Sequence, residues 1–388
     1  MGIKYQKISE SSEFIGKERA TLELAISTIT DHITILPCGT FTPEDIVSTT
    51  VGMAMKRYSP TAICKVPNQK IPSATTFWTC VNTLEYDELL KNSTELFRDS
   101  LHQLLKKGES YTFATDEVDD PFYGKKVTNN GDFVVGGKPK KSTCFFYRYI
   151  TLYTTMRNRR VTLAVFPVQN SLNKLFYLQQ IIEIIRSEGY GIRVFLLDRG
   201  FFSWEIFHYL QNEKIPHIMP VKAHGKELIG LLANEEIRQF TYSLNKNKET
   251  EQEIEILRYT DSRCKKDGTV KRKHRGFVVF GVDWSLLKVK RVYRSRFAIE
   301  SSYRMRNIVR PKTSTRNPVA RYFFAIVSFL LKNIWVVLLF EHFRKKQSGP
   351  IVIKSEWFRF DAFICCMQDA LIVIRNGTNE DLNIIQVS

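Results

Sequence analysis

Residues 319–343 read VARYFFAIVSFLLKNIWVVLLFEHF, and this run limits the folds open to the chain more than any other stretch. A helix of that length is apolar on every side, so it must lie in lipid or inside a core deep enough to surround it. Arg321, Lys332 and Glu341 interrupt it. Charges within a hydrocarbon span are expensive, so the expectation is a buried core helix. The 388 residues, 43% of them hydrophobic, suffice for such a core and for two or three domains.

Upstream, residues 18–106 have a helical pattern. Thr42-Pro43-Glu44-Asp45 is a helix start: a capping threonine, proline at the first helical position, then acids in the first turn. A helix of about 14 residues follows from it. Ser73 in IPSATTFWTCVNTL is placed to cap a second helix, and a third covers 86–106. Short helices with a capped, threonine-rich second member fit a DNA-binding helix-turn-helix, and equally an ordinary helical bundle.

After Gly108 the pattern changes. YTFATDEVDD is a β-prone run ending in acids, followed by PFYGKK and the glycine-rich loop NNGDFVVGGKPKK. CFFYRYITLYTT and RRVTLAVFPV read as strands joined by the MRNRR turn. NKLFYLQQIIEIIRSEG has helical spacing and closes at Gly189. GIRVFLLDRG is a buried strand entering a turn, EIFHYLQNE a helix, and HIMPVKA a strand. This order predicts an α/β fold with a mixed sheet and flanking helices. Residues 226–287 leave the alternation: EIEILRYT and RGFVVFGVDW read as strands around the basic loop RCKKDGTVKRKHR, a β-rich insertion. KKQSGP is a linker, WFRFDAFICCMQDALIVI a last amphipathic helix, and the tail after Asn376 loose.

The net charge is +17, and its distribution matters more than its size. Between Arg263 and Arg321 stand 18 lysines and arginines, opposed only by Asp267, Asp283 and Glu300. A field concentrated in one segment points to an anionic partner, a DNA backbone above others. The seven cysteines (38, 64, 80, 144, 264, 365 and 366) are scattered, with no CxxC. They predict reduced thiols, no zinc site, and a cytoplasmic, nucleoid-associated protein. The opening MGIKYQKISESSEF has no apolar signal core. His208 and His217 lack metal-ligand spacing and read as structural.

Within the basic field lies YRSRFAIESSYRMRN, residues 293–307, where Glu300 is the single acid. Read as one helix, Tyr293, Arg296, Glu300 and Asn307 recur at steps of 3, 4 and 7 and share a face, with Arg304 one turn past Glu300. A solvated face laced with Arg–Glu pairs would show the same pattern. Asp116 and Asp198 sit where strands are expected to end, and they favour an active-site wall. Three such carboxylates can hold two Mg²⁺ ions, which prefer hard oxygen ligands and take the rest from phosphate. Surrounding arginines would then hold DNA that the carboxylates alone would repel.

These residues together resemble the DDE transposases of insertion sequences, in the group marked by Y-x2-R-x3-E-x6-K and a β-rich insertion before the glutamate. Tyr293, Arg296 and Glu300 match, and Asn307 replaces the lysine. Arg306, one residue away, points elsewhere on a helix. RPKTSTRNPVARYFFAIVSFLLKNIW is similar to the archaeal ISH-type branch. FLLDRGFF matches the family's second aspartate at Asp198, and ATDEVDDPFYGKK its first at Asp116, beside Glu117, Asp119 and Asp120. The resemblance covers roughly residues 110–345 and implies an RNase H-like core.

It further implies Asp116, Asp198 and Glu300 as catalytic metal ligands, with two Mg²⁺ for which Mn²⁺ can substitute. Tyr293, Arg296, Arg304, Asn307, Lys271, Arg272 and Lys273 would contact DNA. Lys125 and Lys222 are phosphate contacts or solvated, and Trp284 stacks on a base or packs in the core. The implied partners are double-stranded DNA, as transposon ends and target, and a second copy of the chain. The implied activity is cleavage at terminal inverted repeats followed by strand transfer. A nuclease without strand transfer, or a non-catalytic DNA-binding derivative of a transposase, are the alternatives. The expected domains are a helical one over 1–107, a catalytic core over 108–225 and 291–345, the insertion over 226–290, and a C-terminal helix and tail over 346–388.

Overall fold

The computed structural model describes residues 18–65, 71–124, 131–140, 142–264, 268–345, 352–353 and 355–376. Lys125 and the tail after Asn376 lie outside the described residues. The chain forms two compact units, one made of Met1–Leu104, Phe122–Gly131 and Tyr303–Ser388, the other of Leu105–Pro121 and Asp132–Ser302.

The first unit is helical. Its helices are α1 (Glu18–Thr30), α2 (Pro43–Lys56), α3 (Pro60–Ile63), α4 (Ala74–Val81) and α5 (Tyr86–Leu101). α2 starts at a full capping box: Thr42 Oγ1 accepts from Asp45 N, and Asp45 Oδ2 accepts from Thr42 N at 3.0 Å. Each satisfies an orphan amide of the first turn. Thr42→Ala should therefore lower stability by about 1 kcal/mol in chemical denaturation, with Thr42→Ser near neutral. Ser73 caps α4 by accepting from Thr76 N at 3.1 Å. The third helix stops at Leu101, short of the expected 106, and Leu104 and Leu105 turn inward beyond it.

The long apolar run forms a helix over Pro318–His342, with 94% of its most apolar window buried. The sequence pattern had grouped it with the α/β core. It packs instead in the first unit, against α1, α2 and α5, and its Trp335 meets Phe360 at the start of a C-terminal helix, Phe360–Asn376, that packs on α1 and α2. A helix apolar all round needs partners on all sides, and amphipathic helices supply them. Buried polar groups on it are paired, as with the Ser93–Tyr322 hydroxyl contact of 2.8 Å.

The second unit is built on one mixed sheet in the order β2-β3-β1-β5-β6-β9-β8-β7, with β4 also on β3. The strands are β1 (Ser110–Phe122), β2 (Val134–Lys140), β3 (Thr143–Thr154), β4 (Thr162–Pro167), β5 (Gly191–Leu196), β6 (His217–Pro220), β7 (Gln239–Leu244), β8 (Gln252–Cys264) and β9 (Val270–Phe280). β1, β5 and β6 run parallel, and the pairs β2–β3, β3–β4, β6–β9, β8–β9 and β7–β8 are antiparallel. Parallel neighbours need crossovers, here α6 (Lys174–Ser187) before β5 and α7 (Trp204–Asn212) before β6. α6 ends as expected, with Gly189 at φ 69°.

Two expectations change. The glycine-rich segment holds an edge strand, β2, whose register slips between Gly136 and Lys140; an edge position tolerates both glycine and slippage. The insertion forms no separate sheet. Its strand β9 pairs with β6, His217 opposite Phe280, so β7–β9 lengthen the central sheet, with α8 (Lys226–Ala233) before them.

Candidate active site

The site is built where β1 and β5 lie side by side. Ala114 pairs with Leu196 in parallel register. Carried two residues further, that register sets Asp116 level with Asp198 at the edge where β5 has ended. β1 itself does not end at Asp116 as expected; it continues to Phe122. Strand alternation turns Glu117 and Asp119 to the opposite face. There Glu117 Oε1 meets Lys174 Nζ at 2.8 Å, and Asp119 Oδ1 accepts from Arg148 Nε at 2.7 Å. Asp116 is thus the acid of that cluster that register brings to Asp198.

The helical stripe is not one helix. α9 (Leu286–Arg294) passes into a 3₁₀ turn, Ser295–Phe297, before α10 (Ala298–Ile308). A 3₁₀ turn rotates each residue further than an α-turn, by roughly 20° per residue. The turn breaks the constant rotation on which a single Tyr293–Glu300 stripe depends.

Arg296 is the hub. Its Nη1 donates to Asp116 Oδ2 at 2.8 Å, and its Nη2 lies 3.4 Å from Asp198 Oδ1. Its side chain is only 7% exposed, and its Nε is buried without a hydrogen-bond partner. Asp116 Oδ1 accepts from Glu117 N at 2.9 Å. Asp198 Oδ2 caps the following turn by accepting from Gly200 N at 3.2 Å. Burial raises the Asp116 carboxyl above its ordinary range, and the Arg296 charge opposes that rise.

Tyr293 does not face outward. It belongs to the core cluster with Ala114, Leu196 and Phe277, and its hydroxyl donates to Leu197 O at 3.1 Å, next to Asp198. Burial pushes its phenol above the usual range. Glu300 is half-buried and makes no hydrogen bond or ion pair among the described residues. Among those residues, no three Asp, Glu, His or Cys side chains gather as a metal cluster.

In the first unit, Arg304 and Asn307 are exposed on α10. Arg306 is fully buried, donating to Ser328 Oγ at 2.8 Å and to Asn307 Oδ1 at 3.2 Å, with its guanidinium 4.9 Å from the Phe329 ring. Arg306 therefore cannot replace the charge that lysine would supply at 307; Arg304 is the nearest exposed cation in sequence. Lys271, Arg272, Lys273 and Lys222 are exposed. Trp284 is partly buried against the Tyr293 core cluster, with Lys288 Nζ 4.4 Å from its ring centroid. His208 bonds Gln252 and Asn212, and His217 is buried.

No protein-family model matches the chain, and no curated protein matches it. Among solved structures, the cryo-EM structure of piggyBac transposase in a synaptic complex with hairpin DNA superposes with a TM-score of 0.58. The match covers 92% of this chain and 80% of that one, at 12% identity. The chain shares the fold of that transposase.

Sequence reasoning missed Lys174 at the start of α6. Its Nζ bridges Glu117, beside Asp116, and Gly200 O, in the turn that Asp198 caps, and lies 4.9 Å from the Phe201 ring centroid. It braces the backbone that carries both aspartates. No local pattern marks it; the signal is a lysine at a helix start, where the dipole disfavours cations.

Proposed function

We propose that the chain is a DNA transposase with an RNase H-like catalytic core, acting on the terminal repeats of an insertion sequence of the ISH-like kind. The observation that carries this is the convergence of Asp116, Asp198 and Arg296 at the edge of parallel strands, in a fold shared with a transposase. Two carboxylates already meet around one cationic group, so their hard oxygens fit a divalent metal. Glu300 stands four residues beyond Arg296 and would complete the set.

When bound, Mg²⁺ would activate the attacking oxygen and stabilise the leaving one in phosphodiester displacement. Asp116, Asp198 and Glu300 are the ligands this reading assigns. Arg296, drawn to a DNA phosphate, would exchange a carboxylate pair for a comparable charge-assisted contact. Tyr293 would act by holding the Leu197 carbonyl, and so the Asp198 backbone, rather than by touching DNA. Arg304, Asn307 and the exposed Lys271, Arg272 and Lys273 would bind backbone, and two copies would bridge the two ends.

Incubating the purified protein with a labelled transposon end, plasmid and Mg²⁺ tests this. Joined products are expected, and hydrolysis without joining would reduce the reading to a nuclease. A second reading, a DNA-binding derivative that no longer cuts, draws on Glu300 standing apart from the aspartate pair. It predicts tight binding with no metal-dependent cleavage.

A further inference from the structure

β8 and β9 outrun the rest of their sheet. β7 pairs with β8 as far as Leu257, and β6 pairs with β9 as far as Phe277. Single backbone bonds, Arg258 N to Arg238 O and Val221 N to Gly276 O, close those edges. Six further pairs, from Tyr259–Arg275 to Cys264–Val270, have no third strand on either side. At about 3.4 Å per residue, the two-stranded ribbon projects roughly 20 Å.

Along β9, the outer part of the ribbon is exposed on both faces. A half-buried strand alternates, yet every residue from Val270 to Arg275 is exposed. Near the base, Tyr259 stacks on Phe277 and carries Lys290, while Thr260 and His274 approach Glu235. Beyond that, Ser262, Lys271, Arg272 and Lys273 are exposed. An isolated hairpin in water is marginal, and open edges invite pairing with other chains. Charge blocks that pairing, and the charge here is mostly positive and sits on both faces.

Lys271 and Lys273 share a face, with Asp261 opposite Lys273, and Arg272 lies on the other face opposite Ser262. None of the three cations makes a hydrogen bond or ion pair among the described residues. Asp261, the ribbon's acid among the described residues, is engaged by Arg275 at 3.6 Å. A ribbon lying flat on one phosphate backbone needs cations on one face only. Cations on both faces suit phosphates on both sides, as in a groove. The major groove of B-form DNA, about 12 Å wide, admits a two-stranded ribbon without distortion, whereas the minor groove, about 6 Å wide, must first be opened by deforming the duplex.

We propose that the ribbon formed by 259–264 and 270–275 enters the major groove of duplex DNA, with Lys271 and Lys273 toward one backbone and Arg272 toward the other. This rests on the DNA-binding reading above and adds to it the groove and the element that occupies it.

The test uses the full chain, a DNA duplex of about 30 base pairs, and binding measured across salt, where each lost phosphate contact lowers the log–log slope by about 0.9. Lys271→Ala/Lys273→Ala should lower the slope by about 1.8, and Arg272→Ala by about 0.9. The unaltered protein should protect guanine N7, a major-groove atom, from methylation, and all three substitutions together should remove that protection. An A-form RNA duplex, whose major groove is too narrow to enter, should compete at least ~10-fold less well. The proposal falls if only one face changes the slope, if N7 protection survives the triple substitution, or if the RNA competes equally. If the unaltered protein binds no duplex, the DNA-binding reading falls with it. That result is distinct, because then ribbon variants and the unaltered protein behave alike.

Discussion

Asp198→Asn should abolish metal-dependent strand cleavage while leaving the fold and DNA binding in place. Asp198 is 42% exposed; it caps one turn by accepting from Gly200 N at 3.2 Å and lies 3.4 Å from Arg296 Nη2. Asparagine keeps an oxygen that can accept that bond, so the unfolding midpoint should hardly move. What it removes is half of the paired charge facing Arg296. A carboxylate that holds a catalytic metal supports several kcal/mol of transition-state stabilisation, which corresponds to a loss of at least ~10³-fold in cleavage. Affinity for DNA should stay level or rise, since a negative charge has left the path of a polyanion. Cleavage at the unaltered rate would mean that the reacting centre lies elsewhere. Arg296→Gln makes a useful companion. It leaves two carboxylates without their cation, so binding of Mn²⁺ by the free protein, followed by calorimetry, should tighten.

The second large effect concerns His217 in β6. The ring lies between Phe280 and Phe207, with centroids 5.5 and 5.9 Å away. Its Nδ1 donates to Ile215 O at 2.9 Å, and its Nε2 is buried without a partner. Burial pushes its pKa down from the ordinary 6.5 to about 4. Above pH 6.5, folded and unfolded chains both carry neutral imidazole, and the group is silent. As pH falls from 6.5 toward 4, the unfolded chain takes up a proton that the folded chain refuses, so stability drops. Below about 4 both forms are protonated and the loss levels off at about 3 kcal/mol. His217→Phe removes the titration. At pH 7 the variant should lose about 1 kcal/mol with the Ile215 bond. By pH 4 it should be the more stable protein. Denaturant unfolding of both proteins at several pH values reads the difference, in which all other titrating groups cancel. A difference that does not change with pH would show that His217 is not the buried neutral group described.

Much of the fold and part of the site could be read from local pattern. Thr42-Pro43-Glu44-Asp45 specifies a helix start because cap, proline and acids each act on the first turn alone. Asp116 and Asp198 stand out because each follows a run of strand-forming residues. The parallel pairing of Ala114 with Leu196 makes them neighbours. Choosing Asp116 over Glu117 and Asp119 required their partners Lys174, on a helix, and Arg148, on a strand, which lie far along the chain.

The Tyr293–Glu300 stripe shows the limit of periodicity. Spacing assumes a constant rotation per residue, and the 3₁₀ turn at 295–297 breaks that assumption. The turn aims Arg296 between two aspartates and leaves Tyr293 bonded to a backbone carbonyl. Arg306, which helical spacing only turned away from the stripe, is completely buried beside Ser328 and the Phe329 ring. By itself, then, the sequence determined helix starts, most strands, the need to bury residues 319–343, and the acids worth watching. Those follow from forces acting within a few residues. Only the tertiary structure decided which helices surround the apolar one, that the insertion lengthens the central sheet, and which cation meets which acid. Those outcomes depend on contacts between segments far apart in the chain, where packing and desolvation outweigh local preference.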